Sequence, residues 1–559
     1  MKVRIPVFVK DPVVSALEGI DRTELITIED QDIFLDGPVS TRVAILDFDE
    51  SGALRPGAQF VPAKTARGAG SYAVSTNKRA ASERRMAPVS VFGVVHKTIQ
   101  MFEEPDALGR RVDWAFDSPQ LLVVPFAGDW ANAFYDRSSQ SLQFFSFTGP
   151  DDKPVNTCFS QDIVAHETGH AILDGIAPDL YDATTPQALA MHEAIADVVA
   201  VIAAFRSRKL RDRVLAQKDG DISDSSAFSG LAGQFSEAQM EGKDYLRNLK
   251  NDAKIEPGLV EPHALSEVLS GALYGVVLKL YDRLRGAGPA AEAVGDDDPD
   301  EASAGKALFM ATERYKRFVI RGLDYLPPGD ASFADLGRAM VAADLATYPE
   351  SKHGAQRDWL ADEFVTRRIV KSRAALTPKL KLAPEAKAAI AGLDLEALVT
   401  SDYYAYEFVR ANRELFQVPD TTSFEVRKRL DVTKKEWHGD LPPTTRRECL
   451  VKVAWTEQEA NDVEAKIASR RTFRRGTTLA IDWETHAVRG LLTTENSPAA
   501  KKSRSALIRR LIDNDELALA GDGIGPDGEE LSQVVHGDLA DGTLRVRNTG
   551  RSLHVIGGR

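Results

Sequence analysis

Apolar residues recur at three- and four-residue spacing through the middle of the chain, from Ser160 to about Val370. The spacing is clearest in three segments, EVLSGALYGVVLKLYDRL, KALFMATERYKRFVI and FADLGRAMVAADLATY. Such a period places an apolar stripe along one side of a helix, so this part of the chain is predicted to be mainly helical. The acidic stretch GAGPAAEAVGDDDPDEASAG interrupts it and is predicted to be a solvated loop rather than a cation site.

Short alternating runs of apolar and polar residues mark the two ends of the chain. Residues 1 to about 87 contain the β-like runs RVAILDFDE and QFVPAK, then the polar stretch TARGAGSYAVSTNKRAASERR, which is predicted to be a mobile loop. The next segment, VSVFGVVHKTIQMFEE, is predicted to be the first long helix. Beyond about residue 415, the runs ECLVKVAW, TTLAIDW and TLRVRN predict a separate β-rich domain.

Composition and charge narrow the class of protein. A chain of 559 residues is too long for a single core, and its formal net charge of −13 argues against a general binder of nucleic acid or anionic membranes. Cys158 and Cys449 offer no disulfide framework. The N-terminus lacks a signal-peptide pattern, and the apolar run Ala194–Phe205 is too short to span a bilayer. The expectation is a soluble, cytoplasmic protein that binds neither nucleic acid nor membrane.

The stretch QDIVAHETGHAILDG carries two of the ten histidines, His166 and His170. In a helix, positions four apart lie one turn apart on one side, so both imidazoles can reach one metal ion. Glu167 projects about 100° further round and can reach a water on that ion without being a ligand. The alternative is a helix with two surface histidines.

A third ligand is predicted on the next apolar helix, in MHEAIADVVAVIAAF. A catalytic zinc usually takes three protein ligands, and Glu193 is a carboxylate at the start of this helix. Asp197 lies one turn further on and could accept a hydrogen bond from the non-ligating nitrogen of His166. The alternatives are a glutamate stabilised by the helix dipole with a surface aspartate, or His192 as the ligand.

These residues resemble the thermolysin-like family of zinc metallopeptidases, the gluzincins. The family pattern is HExxH on one helix and a glutamate in NEAxSD on the next, and here the motifs read HETGH and HEAIAD. The resemblance implies that His166, His170 and Glu193 bind zinc and that Glu167 is the general base. It also implies that Asp197 orients one histidine and that Asp174, four residues after His170, orients the other.

Further motifs follow in the family's order. ANAFYD resembles the edge strand that pairs with an extended substrate, which implies substrate contacts at Asn132 and Ala133. Tyr181, eleven residues after His170, matches a tyrosine that stabilises the oxyanion. YLRNLKND places Arg247 where the family has an arginine that holds a substrate carbonyl. VEPHALSEVLSGALYGV places His263 as the second oxyanion donor.

The resemblance covers about residues 85 to 372 and implies an α+β, thermolysin-like catalytic unit. Its expected layout is a β-rich lobe at about 88–175, a mainly helical lobe at 176–372 and the zinc helix between them. Residues 1–87 are then an N-terminal β-rich region, 373–414 a linker with short helices, and 415–559 a C-terminal β-rich domain.

The sequence also departs from the family pattern. The segment between His170 and Glu193 is a few residues longer than usual, and His192 replaces the family's asparagine. Glu261 and Glu256 are both candidates for the acid that pairs with His263. Calcium is only a weak expectation, because Asp162 matches one calcium ligand but Ala204 stands where an acid is needed; Asp162 could instead cap the helix.

The function expected from the resemblance is a zinc metalloendopeptidase that uses a zinc-activated water and acts on a peptide or protein substrate. Two alternatives stay open. One is a catalytically idle scaffold or binding module of the same fold. The other is a gluzincin aminopeptidase, although the sequence shows no GxMEN-type exopeptidase motif. The N-terminal region or the C-terminal domain is expected to gate access or to recruit a protein partner.

Overall fold

Two sheets, a group of long helices and a C-terminal sheet follow one another in the computed structural model. The described residues are 1–10, 15, 19, 21–29, 32–65, 67–74, 80–149, 152–217, 220–222, 228, 230–231, 247–286, 304–349, 354–378, 380, 382–437, 442–463, 468–514, 517–519, 535–540 and 543–547. Most of the acidic loop predicted after the helix at 262–284 lies outside these residues. Among them, helices and sheets are mixed, so the protein is α+β as predicted.

The first sheet has four strands in the order β2-β1-β7-β6. They are β1 (Lys2–Phe8), β2 (Thr23–Glu29), β6 (Phe60–Val61) and β7 (Gly70–Tyr72). Strand β1 alternates because Val3, Ile5 and Val7 point inward and are buried against helix α1 (Ala80–Glu103). The very first residues are therefore part of the core.

The second sheet has six strands in the order β3-β4-β5-β8-β10-β9. The strands are β3 (Phe34–Leu35), β4 (Val39–Ser40), β5 (Val43–Ile45), β8 (Leu121–Val124), β9 (Ala133–Asp136) and β10 (Ser141–Phe144). Strand β5 pairs with β8 in parallel, so residues before and after 87 share one sheet. The expected boundary at 87–88 falls inside α1, and the stretch predicted as a mobile loop contributes β7 and the start of α1.

Four further strands form two small ribbons. Strand β11 (Ser146–Thr148) pairs with β12 (Pro154–Asn156), and β13 (Gly230–Leu231) pairs with β14 (Arg247–Asn248).

The long helices form where the periodic pattern predicts them. They are α2 (Gln161–Ile176), α3 (Pro186–Arg206), α4 (Arg208–Gln217), α5 (Pro262–Leu284), α6 (Ala304–Tyr325), α7 (Phe333–Thr347) and α8 (Ala355–Thr366). Local signals fix their starts. The Ser160 side chain accepts the Ile163 N–H at the start of α2, and Ser332 and Asp335 form a capping box at α7.

Two of these helices, α3 and α5, are long and apolar enough to cross a membrane. In the structure 94% and 72% of their apolar windows are buried inside the protein. That burial is what the core helices of a soluble protein show.

The C-terminal part begins with short helices and continues as a sheet. The helices are α9 (Pro384–Ala391), α10 (Leu395–Thr400), α11 (Asp402–Ala411) and α12 (Arg413–Phe416). The strands are β15 (Phe424–Val426), β16 (Leu430–Glu436), β17 (Thr444–Ala460), β18 (Arg470–Asp482), β19 (Val488–Thr493), β20 (Leu517–Leu519), β21 (Val535–Ala540) and β22 (Thr543–Arg547). Helix α13 (Pro498–Asp513) lies between β19 and β20.

This C-terminal sheet has its two faces in different cores. Leu450, Ala480 and Leu492 belong to the same hydrophobic core as the long helices. Val451 and Leu479, which point the other way, pack in a second core with the short helices α9 to α11. The β-rich region is therefore joined to the helical part by shared core residues.

Candidate metal centre

Helices α2 and α3 pack against each other and bring three buried side chains together. His166 and His170 project from successive turns of α2, and Glu193 projects from α3. The two Nε2 atoms are 3.0 Å apart. Glu193 Oε1 is 3.5 Å from His170 Nε2, and its Oε2 is 3.7 Å from His166 Nε2.

A glycine between the two histidines allows α3 to approach this closely. A Cβ at Gly169 would lie 3.2 Å from the Cα of Ala196 and 3.3 Å from the Cβ of Val199. Any larger residue would push the helices apart and move Glu193 away from the histidines.

The outer nitrogen of each histidine is engaged on α3. His166 Nδ1 is 3.1 Å from Asp197 Oδ1, and His170 Nδ1 is 2.5 Å from His192 Nδ1. An ionised carboxylate only accepts hydrogen bonds, so His166 carries its proton on Nδ1 and has a lone pair on Nε2. If His170 donates from Nδ1 to His192, its Nε2 also has a lone pair, and His192 then carries its proton on Nε2.

This protonation pattern gives the three residues the donor chemistry of a metal site. Two lone pairs facing each other at 3.0 Å, beside a carboxylate, repel unless a cation lies between them. Zinc bonds of about 2.0–2.1 Å in a tetrahedron require ligand atoms about 3.4 Å apart, and the three observed distances lie around that value. The residues therefore fit a zinc ion, as the sequence predicts.

Glu167 is turned toward the edge strand β9. Its carboxylate Oε2 accepts the backbone N–H of Tyr135 at 3.1 Å, and the side chain is buried. The glutamate that follows the first histidine thus lies between the metal-binding residues and the edge of the six-stranded sheet.

The outer edge of β9 carries Ala133 and Tyr135. Strand β9 pairs antiparallel with β10 on one side only, and backbone groups of alternate residues point to opposite sides of a strand. Because the Tyr135 N–H points away from β10, the Ala133 N–H does too, and it is bound by the Asn132 side chain at 2.8 Å. The two residues predicted to contact substrate, Asn132 and Ala133, therefore lie on this outer edge.

Asp174 does not perform the role that the resemblance implies. Its carboxylate accepts the Tyr135 hydroxyl at 2.7 Å and the Arg137 Nε–H at 2.8 Å, while His192 occupies the Nδ1 side of His170. The reason is geometric: Asp174 is buried one turn beyond His170, facing β9 rather than α3. Burial raises the pKa of Asp174, and the bonds from Arg137 oppose that effect.

Tyr181 lies beside this network. The Arg137 guanidinium stacks 4.1 Å from the centre of the Tyr181 ring. The Tyr181 hydroxyl accepts the Arg137 backbone N–H at 3.4 Å. Burial raises its pKa well above the usual range, so the hydroxyl keeps its proton and can donate a hydrogen bond. The ring also contacts His192, with centroids 5.9 Å apart.

His263 lies in the first turn of α5 and is partly exposed. Glu261 is its acid partner, because Glu261 Oε1 is 3.0 Å from His263 Nδ1 and also accepts the His263 backbone N–H. Burial alone would raise the pKa of Glu261, but the bonds from His263 and from the Ala264 N–H bring it down to about 2. Arg247 has a described backbone in β14, and its side chain lies outside the described part of the chain.

Asp162 has a different partner from the one considered in the sequence. Lys10, two residues after β1, has its Nζ 2.5 Å from Asp162 Oδ2, with side chains 0% and 3% exposed. The carboxylate that matches a calcium ligand is therefore engaged by an ammonium group. The cap of α2 is Ser160, so Asp162 is not the cap either.

Sequence reasoning missed Lys10, Arg137 and the contact of His192 with the Nδ1 of His170. The visible signals were a lysine closing the apolar strand VRIPVFVK and an arginine directly after AFYD. His192 was weighed as a ligand because it adjoins Glu193, and its contact with His170 depends on how two helices pack.

Comparisons with known proteins add little to this geometry. No protein-family model matches the chain, and no curated protein matches it. Among solved structures, the chain is similar to the precursor of protealysin, a metalloproteinase from Serratia proteamaculans. The two are 14% identical, the match covers 60% of this chain and 89% of that chain, and the TM-score is 0.36. A TM-score this low indicates only a loose likeness.

Proposed function

We propose that the chain is a zinc-dependent metallopeptidase. The observation that carries the proposal is the convergence of His166 Nε2, His170 Nε2 and the Glu193 carboxylate within bonding range of one ion, with both outer imidazole nitrogens held. Two histidines and one glutamate are the protein ligands of a well-known class of catalytic zinc site, which keeps one position for water.

When bound, zinc supplies an acidified water and polarises the scissile carbonyl. Glu167 is proposed as the general base that takes the proton from the water and gives it to the leaving amine. Its position between the histidines and β9 supports this role. The Tyr135 N–H holds the carboxylate at the place where the edge strand passes the metal-binding residues.

The outer edge of β9 is proposed to bind the substrate as an added strand. The Ala133 N–H and the C=O groups of Ala133 and Tyr135 point away from β10, so an extended peptide could pair with them while the Tyr135 N–H holds Glu167. The Asn132 side chain now occupies the Ala133 N–H and would have to release it when a peptide binds. Binding through the main chain requires no free terminus, which supports an endopeptidase.

Tyr181 and His263 are proposed to donate hydrogen bonds to the oxyanion. Support for Tyr181 comes from its protonated hydroxyl and from its packing against His192. Support for His263 comes from Glu261, whose Oε1 lies 3.0 Å from its Nδ1 and holds the ring in place. Arg247 remains proposed as a substrate contact, on the resemblance alone.

The role of the C-terminal region and the cellular location of the protein are also proposals. The C-terminal region is proposed to position a protein substrate or partner, and a cytoplasmic location remains the expectation from the sequence.

The test combines metal analysis with a cleavage assay on the full chain. Wild type is expected to carry one zinc per chain and to cleave casein in a way that a chelator abolishes. Glu167→Gln is expected to keep zinc and lose activity by roughly a hundredfold to ten-thousandfold, the range for a general base. Glu385→Gln, a change on the exposed surface of α9, serves as the matched control.

The outcomes separate the competing functions. Zinc without cleavage by wild type would indicate an idle scaffold, and cleavage limited to peptides with a free N-terminus would indicate an aminopeptidase. Normal cleavage by Glu167→Gln would overturn the assignment of the base.

A further inference from the structure

A cavity of about 160 Å³ lies behind the C-terminal end of α2. Its walls come from the end of α2 and the turn after it, from the loop after α6, and from the C-terminal sheet. Gly175 and Pro178 form the first wall, Pro328 the second, and Leu430 and Lys452 the third. The residues that would bind the metal do not line it.

Basic side chains are prominent around this cavity. The described charged lining residues are Arg110, Asp113, Asp179, Arg427, Lys428 and Lys452. Three of the cations are matched by acids: Arg110 Nη2 lies 2.6 Å from Asp324 Oδ1, Lys428 pairs with Asp113, and Arg427 pairs with Asp179 and Glu425.

Lys452 is not matched in this way. It is 8% exposed, and its Nζ donates only to the carbonyl of Leu323, at 3.3 Å. Within the described part of the chain no carboxylate lies at salt-bridge distance from it. Burial lowers its pKa to about 8, with Asp324 and Asp179 opposing the shift and Arg110 and Arg427 adding to it.

Arg427 has a donor to spare beside it. Its Nη2 donates to Asp179 at 3.0 Å and its Nη1 to Glu425 at 2.8 Å, but its Nε–H is buried and has no hydrogen-bond partner among the described residues. Among those residues, the Lys452 ammonium has one weak hydrogen bond and the Arg427 Nε–H has none. Burying such donors costs free energy unless an acceptor binds them.

We infer that this cavity binds a small oxyanion, held by Lys452 and Arg427. Its volume exceeds the share of liquid volume of a single water, about 30 Å³, and leaves room for a sulfate, a phosphate or a carboxylate. An oxyanion would accept hydrogen bonds from the free hydrogens of the Lys452 ammonium and from the Arg427 Nε–H. Hydrogen bonds between ionised donors and an anionic acceptor are stronger than those between neutral groups.

The position of the cavity links it to the metal-binding helix. The wall from Gly175 to Leu180 is continuous with α2 and directly precedes Tyr181. A bound oxyanion would tie this segment to the C-terminal sheet through Lys452 and Arg427. The site does not depend on the proposed peptidase activity, so binding can be measured whether or not the protein cleaves peptides.

The test titrates the full chain with sodium sulfate, with heat of binding as the readout and ionic strength held constant with sodium chloride. Wild type is expected to bind one sulfate. Lys452→Met is expected to weaken binding by roughly tenfold to a hundredfold, the ratio for loss of one charged hydrogen bond. Lys279→Met is the matched control, because Lys279 pairs with Glu363 and does not line the cavity, so its sulfate affinity should equal that of wild type.

Two further measurements keep the test decisive if Lys452→Met folds poorly. Arg427→Gln should also weaken sulfate binding, and the affinity of wild type should fall as pH rises through about 8, since sulfate itself does not titrate there. Competition by acetate would identify a carboxylate as the ligand class, and competition by phosphate alone a tetrahedral oxyanion. No sulfate binding by wild type, or equal binding by Lys452→Met, would overturn the inference.

Discussion

The buried pair of Lys10 and Asp162 is the sharpest place to perturb the fold, because it joins the first strand to the first turn of α2. Lys10→Met keeps the length and apolar stem of the side chain and removes only the charge. The Asp162 carboxylate, 3% exposed, is then left without its cation 2.5 Å away. The Lys10 ammonium also donates to the carbonyl of Gly230 at 3.2 Å, and that bond is lost as well.

The expected loss of stability is large. Removing one partner of a buried ion pair typically costs about 3–5 kcal/mol, because the remaining charge stays buried and loses an opposite charge in direct contact with it. That is a sizeable part of the roughly 5–15 kcal/mol that stabilises a typical protein. The double variant Lys10→Met/Asp162→Leu removes both charges and should recover most of the loss, since apolar residues of similar volume replace buried pairs at little cost.

The effect is measured by urea unfolding, followed by tryptophan fluorescence. The four proteins compared are wild type, Lys10→Met, Asp162→Leu and the double variant. Lys2→Met is the matched control in the same N-terminal segment, because Lys2 pairs with Glu29 at the surface, with side chains 53% and 58% exposed; its midpoint should stay at the wild-type value. The reasoning is refuted if Lys10→Met unfolds at the wild-type urea concentration, or if the double variant is no more stable than Lys10→Met.

Four other variants probe the candidate metal centre and the cavity. Asp197→Ala removes the acceptor of the His166 Nδ1–H and should weaken zinc binding about 10–100-fold in a chelator competition; unchanged affinity would contradict its orienting role. His192→Phe should weaken zinc binding to a similar degree, whereas His192→Asn, which restores a polar partner for His170, should bind nearly as wild type; equal affinities of the two variants would refute the contact. Lys452→Met should be more stable than wild type by about 3 kcal/mol at pH 7, because a pKa lowered from 10.5 to about 8 means that the folded state disfavours the ammonium. That penalty is full below about pH 8 and disappears toward pH 10.5, so the difference in urea midpoint should shrink over this range, and a constant difference would count against the assigned pKa.

The part of the site that follows from helix geometry could be predicted from the sequence. His166 and His170 are four residues apart. Because an α-helix has about 3.6 residues per turn, both side chains lie on the same side of the helix. Glu193 and Asp197 repeat the same spacing on the next helix, so one favourable packing of two helices satisfies all four residues.

The partners that the sequence did not predict depend on how distant segments pack. His170 has candidate partners at Asp174 on its own helix and at His192 on the next, and only the approach of α3 at Gly169 decides between them. The pair of Lys10 and Asp162 joins segments with no local relation. The C-terminal strands were recognisable from their alternation, but alternation does not reveal that Leu450 and Ala480 face the core of the helices.

The tie between β1 and α2 also bears on how the protein is made. Lys10 and Asp162 are separated by roughly 150 residues. At about 5–20 residues per second, the lysine is therefore synthesised about 8 to 30 s before its partner. During that interval β2, β7 and α1 are synthesised and can pack with β1, whereas α2 is not yet available. The metal ligands on α2 and α3 come later still. Because the candidate ligands lie on α2 and α3, a metal is expected to bind only after the strands of the N-terminal sheet and α1 have been synthesised.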